Sequence, residues 1–197
     1  WLRELMARKL IPAGYVDDRS ILEVQPDDLN GFRQCHFFAG IGIWPLALQI
    51  AGYGDRPVWS CSAPCQPFSE AGKGEGGGDD RHLWPEFFRL VAVKHPVRII
   101  GEQVAAAIGF DWLDGISANM EAEGYEVGAI VLGAHSVRAP HRRQRLYFVA
   151  NSLDEQRQRV GGTRGRRAES SDGGGTGGMG DTAGARLDGG PRIEQLV

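Results

Sequence analysis

The chain is poor in cysteine, lacks a long apolar run and carries no strong excess of charge of either sign. Its three cysteines are too few, and odd in number, for a disulfide framework, which favours a reducing compartment. It has no run of about eighteen apolar residues and no recognisable signal peptide, so we expect no membrane span and a cytoplasmic location. The net charge of −3 gives no chain-wide signal for nucleic acid, so any such contact must come from a local patch.

Glycine is the residue type in excess, and its distribution divides the chain. Of 197 residues 29 are glycine, and many of them follow Asn151. The length suits one core domain, and we divide the chain into a helical N-terminal extension at 1–31, a core at 32–152 and a tail at 153–197. Because the tail has almost no large apolar side chains, we predict a disordered linker without helix or strand. The first residue, Trp1 rather than methionine, suggests a fragment.

Short apolar segments alternate with amphipathic segments along the core. Apolar residues at spacings of three and four predict helices, and short apolar runs before turns predict strands. The alternation predicts an α/β fold with a mostly parallel sheet. The predicted strands are 35–38, 58–61, 97–101, 127–132 and 146–150, and the predicted helices are 2–10, 44–51, 83–93 and 116–123.

A stiff loop surrounds Cys65 in the sequence Ala-Pro-Cys-Gln-Pro-Phe-Ser at 63–69. Pro64 and Pro67 have fixed φ angles and push the residues before them toward extended conformations, so the segment is neither a helix interior nor a central strand. A loop that fixes the orientation of a thiol suits a nucleophile. The alternative is a structural cysteine, since free cysteines usually behave as small buried apolar side chains.

Three further groups of residues lie at strand ends. The glycine turn FAGIG (residues 38–42) follows the first predicted strand, Glu102 follows the third, and HRRQR at 141–145 precedes the last. Because ligands bind at the carboxyl ends of parallel strands, the turn, the Cys65 loop and Glu102 should share one crevice. Glycines let a backbone approach a ligand, and arginines bind phosphate or pair with a thiolate. The alternatives are an ordinary turn, an exposed glutamate and a solvated charged turn.

These motifs resemble those of a known family, the DNA cytosine-5 methyltransferases. FAGIG, PCQPFS, EQV and HRRQR follow one another in the order of that family's signatures, and the resemblance covers roughly residues 32–150. It is greatest to short bacterial or phage members. It implies a Rossmann-like methyltransferase sheet, S-adenosylmethionine as methyl donor, and double-stranded DNA with a flipped cytosine as substrate.

The resemblance also implies a role for each motif residue. Cys65 would add to carbon 6 of cytosine, Glu102 would contact the ring nitrogen and the exocyclic amine, and Arg143 and Arg145 would help to hold the base and the loop. The residues implied in cofactor binding are Phe38, Ala39, Gly40, Ile41, Gly42 and Pro64.

The chain departs from the family pattern on the cofactor side. Phe38 and Cys65 are 27 positions apart, which leaves no room for two strands that the family has there, so we expect a sheet with reduced cofactor-side strands. Asp55 is the only acidic residue between them, so the carboxylate for the cofactor ribose should be absent or replaced. Gln103 and His141 replace an asparagine and a glutamine of the motifs. The later strands and the recognition domain are missing, and recognition would lie in absent sequence or in a partner.

Two other hypotheses come from different classes. The chain could be a catalytically degenerate homologue that acts as a DNA- or partner-binding module. Alternatively, Cys35, His36, Cys61 and Cys65 are ligand types that suit zinc. Because neighbouring residues of a strand point to opposite faces, Cys35 and His36 fit a shared metal poorly, and we expect no metal.

Overall fold

A computed structural model of the chain describes residues 1–64, 83–110, 112–154 and 195–196, without the side chains of 109, 110, 195 and 196. Among the described residues, no helix has the length and apolar character needed to cross a membrane. Short 3₁₀ turns lie at Pro26–Leu29, Ala105–Phe110 and Ala134–Val137. The helices are α1 (Leu2–Ala7), α2 (Ile43–Ile50), α3 (Trp84–Lys94) and α4 (Trp112–Ala122); the strands are β1 (Gln34–Phe37), β2 (Val58–Cys61), β3 (Arg98–Val104), β4 (Tyr125–Gly133), β5 (Gln144–Ser152) and β6 (Gln195–Leu196).

The predicted elements of the core are confirmed, with differences at their ends. Strands β3, β4 and β5 are each longer than predicted, because β5 pairs with both of its neighbours along most of its length. Helix α1 is shorter than the predicted 2–10 and ends at Ala7. Apolar periodicity locates these elements, but cross-strand pairing sets where the strands end.

The sheet has the order β4-β5-β3-β2-β1-β6. Strand β1 is parallel to β2 and β6, and β2 is parallel to β3. Strand β5 is antiparallel to both β3 and β4, so it is the one described strand that runs against the others. The prediction of an α/β fold with a mostly parallel sheet is therefore confirmed.

Strand β6 corrects the prediction that the tail at 153–197 contains no strand. Gln195 and Leu196 pair in parallel with His36 and Phe37 of β1. The physical reason is that β1 would otherwise leave its backbone N–H and C=O groups unpaired on that side. On this side of β1 the described sheet has only these two residues, in agreement with the expected reduction of the cofactor-side strands. Most of the tail lies outside the described residues.

The larger core lies on one face of the sheet, under α3 and α4. Phe37 of β1 contacts Trp59 of β2 and Phe87 of α3, with ring centroids 5.1 and 5.0 Å apart. Phe148 of β5 contacts Trp84 of α3 at 6.0 Å. Such aromatic contacts contribute roughly 0.5–1.5 kcal/mol each beyond burial. Helix α2 lies on the opposite face, where Trp44 meets Tyr147 of β5.

The N-terminal extension packs into this core. Ile21 and Val24 are fully buried within it, and Leu29 is buried beside them. Leu2 and Ile11 pack against the glycine turn, since a Cβ added to Gly42 would lie 2.8 Å from Ile11 Cδ1. Residues 1–31 therefore pack together with β1 and α2. The division of the chain into an extension at 1–31 and a core at 32–152 remains a proposal.

Strand β1 contains a buried histidine. His36 of β1 is fully buried, and its Nδ1 lies 2.7 Å from Ser60 Oγ of β2. Its Nε2 has no hydrogen-bond partner among the described residues. Burial lowers the pKa of His36 to about 3, so the ring is neutral at neutral pH.

We expect this histidine to make the protein less stable in mild acid. The unfolded chain binds a proton at His36 below about pH 6.5, whereas the folded chain binds it only near pH 3. The free energy of unfolding should therefore fall by about 1.4 kcal/mol per pH unit as the pH drops between these values. Urea unfolding at pH 7.5 and pH 5.0 measures the loss.

The control separates His36 from the other titrating groups. His36→Gln should lose this component of the pH dependence, while His141→Gln, at an exposed position, should keep it. Equal pH dependence in the parent chain and His36→Gln would contradict the assignment.

Candidate functional site

The predicted motifs come together at one edge of the sheet. Phe38 directly follows β1, and Ser62 directly follows β2. Val104, the last residue of β3, is paired with Arg145 near the start of β5, because β5 runs in the opposite direction. The carboxyl ends of the parallel strands and the amino end of β5 thus form one functional edge, as expected for α/β ligand sites. Cys65 itself lies outside the described residues.

An ion pair joins two of the predicted site residues. Glu102 is opposite Tyr147 in the β3–β5 register, so Arg145, two residues earlier on β5, lies diagonally across on the same face. Arg145 Nε lies 2.8 Å from Glu102 Oε1, and the two side chains are 21% and 25% exposed. Oε2 of Glu102 makes no hydrogen bond to a described residue, so it is free to accept one from a ligand amine. Arg145 therefore orients a carboxylate that remains accessible.

The second predicted arginine, Arg143, is arranged differently. It is exposed, and its side chain makes no ion pair or hydrogen bond with a described residue. Its backbone φ is 29°, in the left-handed region that non-glycine residues seldom adopt. Among the described residues, the structure thus brings Arg145 to Glu102 and leaves Arg143 in the connection before β5.

The glycine turn has the backbone geometry of a ligand cradle. Gly40 and Gly42 have φ angles of 56° and 77°, which favour glycine, and Phe38 also has a positive φ of 54°. Gly42 is the N-cap of α2 and provides no side-chain cap, so the backbone N–H groups of Ile43 and Trp44 in the first turn are left without one, while Pro45 has no N–H. A Cβ on Gly40 would meet nothing within 4 Å, which leaves open space above the turn.

The other residues predicted to bind the cofactor, Ala39, Ile41 and Pro64, differ in their exposure to solvent. Ala39 is buried, Ile41 is 56% exposed, and Pro64 is exposed next to the chain that leaves β2. Their placement leaves an apolar and accessible surface beside the backbone cradle.

The residues of the turn fit the backbone-bound part of S-adenosylmethionine, but no described carboxylate fits its ribose. Asp55 lies just before β2, at the opposite edge of the sheet, where Arg33 Nη1 donates to its carbonyl oxygen at 3.3 Å. It cannot reach the glycine turn from there. Asp55 therefore does not provide a ribose carboxylate at the glycine turn.

Two side chains fix the chain that leads into the Cys65 loop. Trp44 Nε1 of α2 donates to Ser62 Oγ at 2.8 Å. Gln103 Nε2 of β3 lies 3.5 Å from the carbonyl oxygen of Ala63. Gln103 is buried, and its additional methylene, relative to asparagine, lengthens its reach toward Ala63.

Sequence reasoning missed Trp44 and Ser62 as site residues. In the sequence, Trp44 lies in the predicted helix 44–51, and Ser62 lies between the predicted strand 58–61 and the proline loop at 63–69. Each residue lies next to a motif in the sequence, Trp44 after the glycine turn and Ser62 before the proline loop, and this was the only signal that could have identified them. Their contact with each other forms only when the chain folds. The backbone N–H of Ser62 also donates to the carbonyl of Phe37 at 3.2 Å.

The two described cysteines are structural. Cys35 and Cys61 are both buried, and neither forms a disulfide. Burial raises the pKa of the Cys61 thiol to about 12, which removes the thiolate at neutral pH. In the part of the chain that the structure describes, no three His, Cys, Asp or Glu side chains are grouped to hold a metal. The described geometry therefore gives the zinc hypothesis no support.

A cavity of about 480 Å³ lies at the edge opposite the functional edge. Arg33, Lys94 and Val97 are among its lining residues, and none of the predicted site residues lines it. Because it lies at the amino ends of the strands, it is separate from the site formed by Glu102 and Arg145.

The chain is similar to known DNA methyltransferases in the region that contains these motifs. The family described as C-5 cytosine-specific DNA methylase matches residues 58–173. Type II methyltransferase M.NlaX of Neisseria lactamica is 35% identical over 104 residues, covering 51% of this chain and 33% of the relative. Type II methyltransferase M.HhaI of Haemophilus parahaemolyticus is 25% identical over 169 residues, covering 66% of this chain and 52% of the relative.

Among solved structures, the chain is similar to the S. pombe Dnmt2 methyltransferase. It has a TM-score of 0.46 and 19% identity, and the match covers 64% of this chain and 55% of that one. The chain spans about a third to half of the length of the curated relatives M.NlaX and M.HhaI. The family match includes β2 to β5, with Glu102 and both motif arginines, and covers more than half of the chain. The chain therefore belongs to the C-5 cytosine-specific DNA methylase family, which uses S-adenosylmethionine as methyl donor.

Proposed function

We propose that this chain carries the catalytic half of a DNA (cytosine-5)-methyltransferase, which methylates carbon 5 of cytosine in DNA. The observation that carries the proposal is the 2.8 Å ion pair between Arg145 and Glu102 at the functional edge. Next to it lie the glycine turn and the chain toward Pro64. Two relatives named type II methyltransferases support the same activity and a role in restriction–modification.

Each proposed catalytic residue has a distinct task. The Cys65 thiolate forms a bond to carbon 6 of cytosine, and the ring electrons make carbon 5 nucleophilic. After carbon 5 gains the methyl group it loses its proton, and the thiolate leaves carbon 6. Glu102 contacts the ring nitrogen and the exocyclic amine, and Arg145 fixes the orientation of the Glu102 carboxylate. Arg143 lies exposed nearby and contacts the base or the DNA backbone.

The cofactor binds at the glycine turn in this proposal. Phe38, Ala39, Gly40, Ile41, Gly42 and Pro64 would hold it. S-adenosylmethionine, when bound, supplies the methyl group. The N–H groups of Ile43 and Trp44 in the first turn of α2 would bind its polar groups, and the exposed apolar side chain of Ile41 would help to exclude water.

The substrate is double-stranded DNA with the target cytosine flipped out, because a base inside the duplex cannot be reached from both of its faces. Recognition of the target sequence lies in absent sequence or in a partner. The small and odd number of cysteines, three in all, supports a cytoplasmic location. A bacterial or phage setting follows from the resemblance of the motifs.

A mechanism-based trap tests the proposal. DNA that contains 5-fluorocytosine cannot lose a proton from carbon 5, so the enzyme stays covalently attached. With S-adenosylmethionine present, we expect the chain to form a denaturation-resistant adduct with this DNA. Cys65→Ser should abolish it, whereas Cys61→Ala, which changes a buried thiol, should retain it.

The alternative is a catalytically degenerate homologue that binds DNA or a partner. It starts from the missing ribose carboxylate between Phe38 and Cys65 in the sequence, and the matches to type II methyltransferases do not favour it. DNA binding without an adduct, together with no cofactor binding at millimolar concentration, would establish that alternative and overturn the methyltransferase proposal for this chain.

A further inference from the structure

We propose that Trp44 is a positioning residue that couples the glycine turn to the chain that carries the nucleophile. This inference rests on the proposed function, and it concerns residues that the sequence motifs do not include. Trp44 lies two residues after Gly42, in the first turn of α2. Any movement of the glycine turn therefore moves the start of this helix and the indole with it.

The indole of Trp44 contacts the chain after β2 by a directed interaction. Its Nε1 donates to Ser62 Oγ at 2.8 Å, which is a good hydrogen-bond length. Ser62 lies two residues before Pro64, and both Trp44 and Ser62 are half-buried. Because Pro64 fixes its own φ and restricts Ala63 before it, the orientation of Ser62 is transmitted toward Pro64 rather than absorbed by a flexible linker.

The same indole also touches the strand that carries Arg145. Its ring meets Tyr147 of β5 edge to face, with centroids 6.5 Å apart and planes at 82°. Tyr147 is directly opposite Glu102 in the β3–β5 register and lies on the same face as Arg145. One side chain thus contacts both the chain before Pro64 and the neighbour of the Glu102–Arg145 pair.

This arrangement predicts an effect on rate rather than on substrate binding. A displacement of about 1 Å at a reacting group can lower a reaction rate about a hundredfold. The loss of one neutral hydrogen bond lowers the rate by a smaller factor, because such a bond contributes only about 1 kcal/mol. Because the Trp44 contacts are within the protein, their loss should misalign the two halves of the site. The constants for binding DNA and cofactor should change little.

The kinetic test compares variants that remove either side of the hydrogen bond. Trp44→Phe keeps an aromatic ring near Tyr147 and removes the N–H, and Ser62→Ala removes the acceptor. We expect each to lower kcat about tenfold, with KM for DNA and cofactor within about twofold of the parent. The double variant should be no slower than the slower single variant, since both remove one interaction.

A matched control removes another indole hydrogen bond. Trp84 Nε1 of α3 donates to Asn119 Oδ1 at 3.2 Å, on the opposite face of the sheet. Trp84→Phe should lower the melting temperature and leave kcat unchanged at temperatures where it is folded. Parent-like kcat in Trp44→Phe and Ser62→Ala, or purely additive losses in the double variant, would overturn the inference.

A second measurement does not depend on methylation. The five tryptophans should give separate indole N–H signals in a ¹⁵N spectrum, and the signal lost in Trp44→Phe identifies Trp44. Ser62→Ala should shift that signal and leave that of Trp84 in place. If the Trp44 signal does not move in Ser62→Ala, the hydrogen bond between Trp44 and Ser62 is overturned. If the parent chain does not methylate DNA, the proposed function is overturned instead.

Discussion

Replacing Gly101 with alanine should destabilise the fold by about 3 kcal/mol, among the larger costs of overpacking a core. A Cβ at this position of β3 would lie 1.9 Å from Phe148 Cε1 and 2.1 Å from Cζ. The Phe148 ring cannot move aside, because Trp84 and Trp112 pack against it with centroids at 6.0 and 6.1 Å. Urea unfolding followed by far-UV circular dichroism measures the loss.

A second glycine provides the matched control. Gly115 is in α4, and a Cβ there would meet nothing within 4 Å. Gly115→Ala should therefore stabilise the chain by about 0.5–1 kcal/mol through helix propensity. Combining Gly101→Ala with Phe148→Leu should recover part of the loss, since it removes the crowding. Parent-like stability of Gly101→Ala would contradict the packing of β3 against β5.

Replacing Glu102 with glutamine should lower the methylation rate at least about a hundredfold, the magnitude typical of losing a positioned acid or base. The change keeps the size of the side chain and removes the charge that pairs with Arg145 at 2.8 Å. Stability should fall by no more than about 1 kcal/mol, because the pair is partly exposed. Single-turnover methylation and urea unfolding, measured on the same preparation, separate the two effects.

The control for this prediction is another ion pair. Glu86 and Arg89 of α3 are joined at 3.2 Å, with comparable exposure of both side chains. Glu86→Gln should leave the methylation rate unchanged. If Glu102→Gln methylates as fast as Glu86→Gln, then Glu102 has no part in the reaction.

The sequence predicts the parts of this protein that depend on local patterns. The order of strands and helices follows from apolar periodicity, and the meeting of the glycine turn with Glu102 follows from parallel strands. The Glu102–Arg145 pair needed the β3–β5 register, which no local pattern in either strand contains. The contact between Trp44 and Ser62 joins positions in separate elements, so neither position carries a signal for it.

Two other features were not predicted, for a similar reason. Strand β6 has two described residues, too few to show an apolar alternation. Ile21 and Val24 are isolated apolar residues in a polar stretch, and only the folded chain shows that they belong to the core. Such short or isolated apolar positions do not predict a strand or a core residue by themselves, because their burial depends on contacts with residues far away in the sequence.

The pairing of β4 with β5 has a consequence for engineering. The two strands pair at nine positions, from Tyr125 with Ser152 to Gly133 with Gln144. Their connection at 134–143 opens at the functional edge, and lengthening a loop costs only about 0.6 kcal/mol for each doubling. New DNA-reading segments can therefore be grafted into this connection while the ladder keeps Arg145 in register with Glu102.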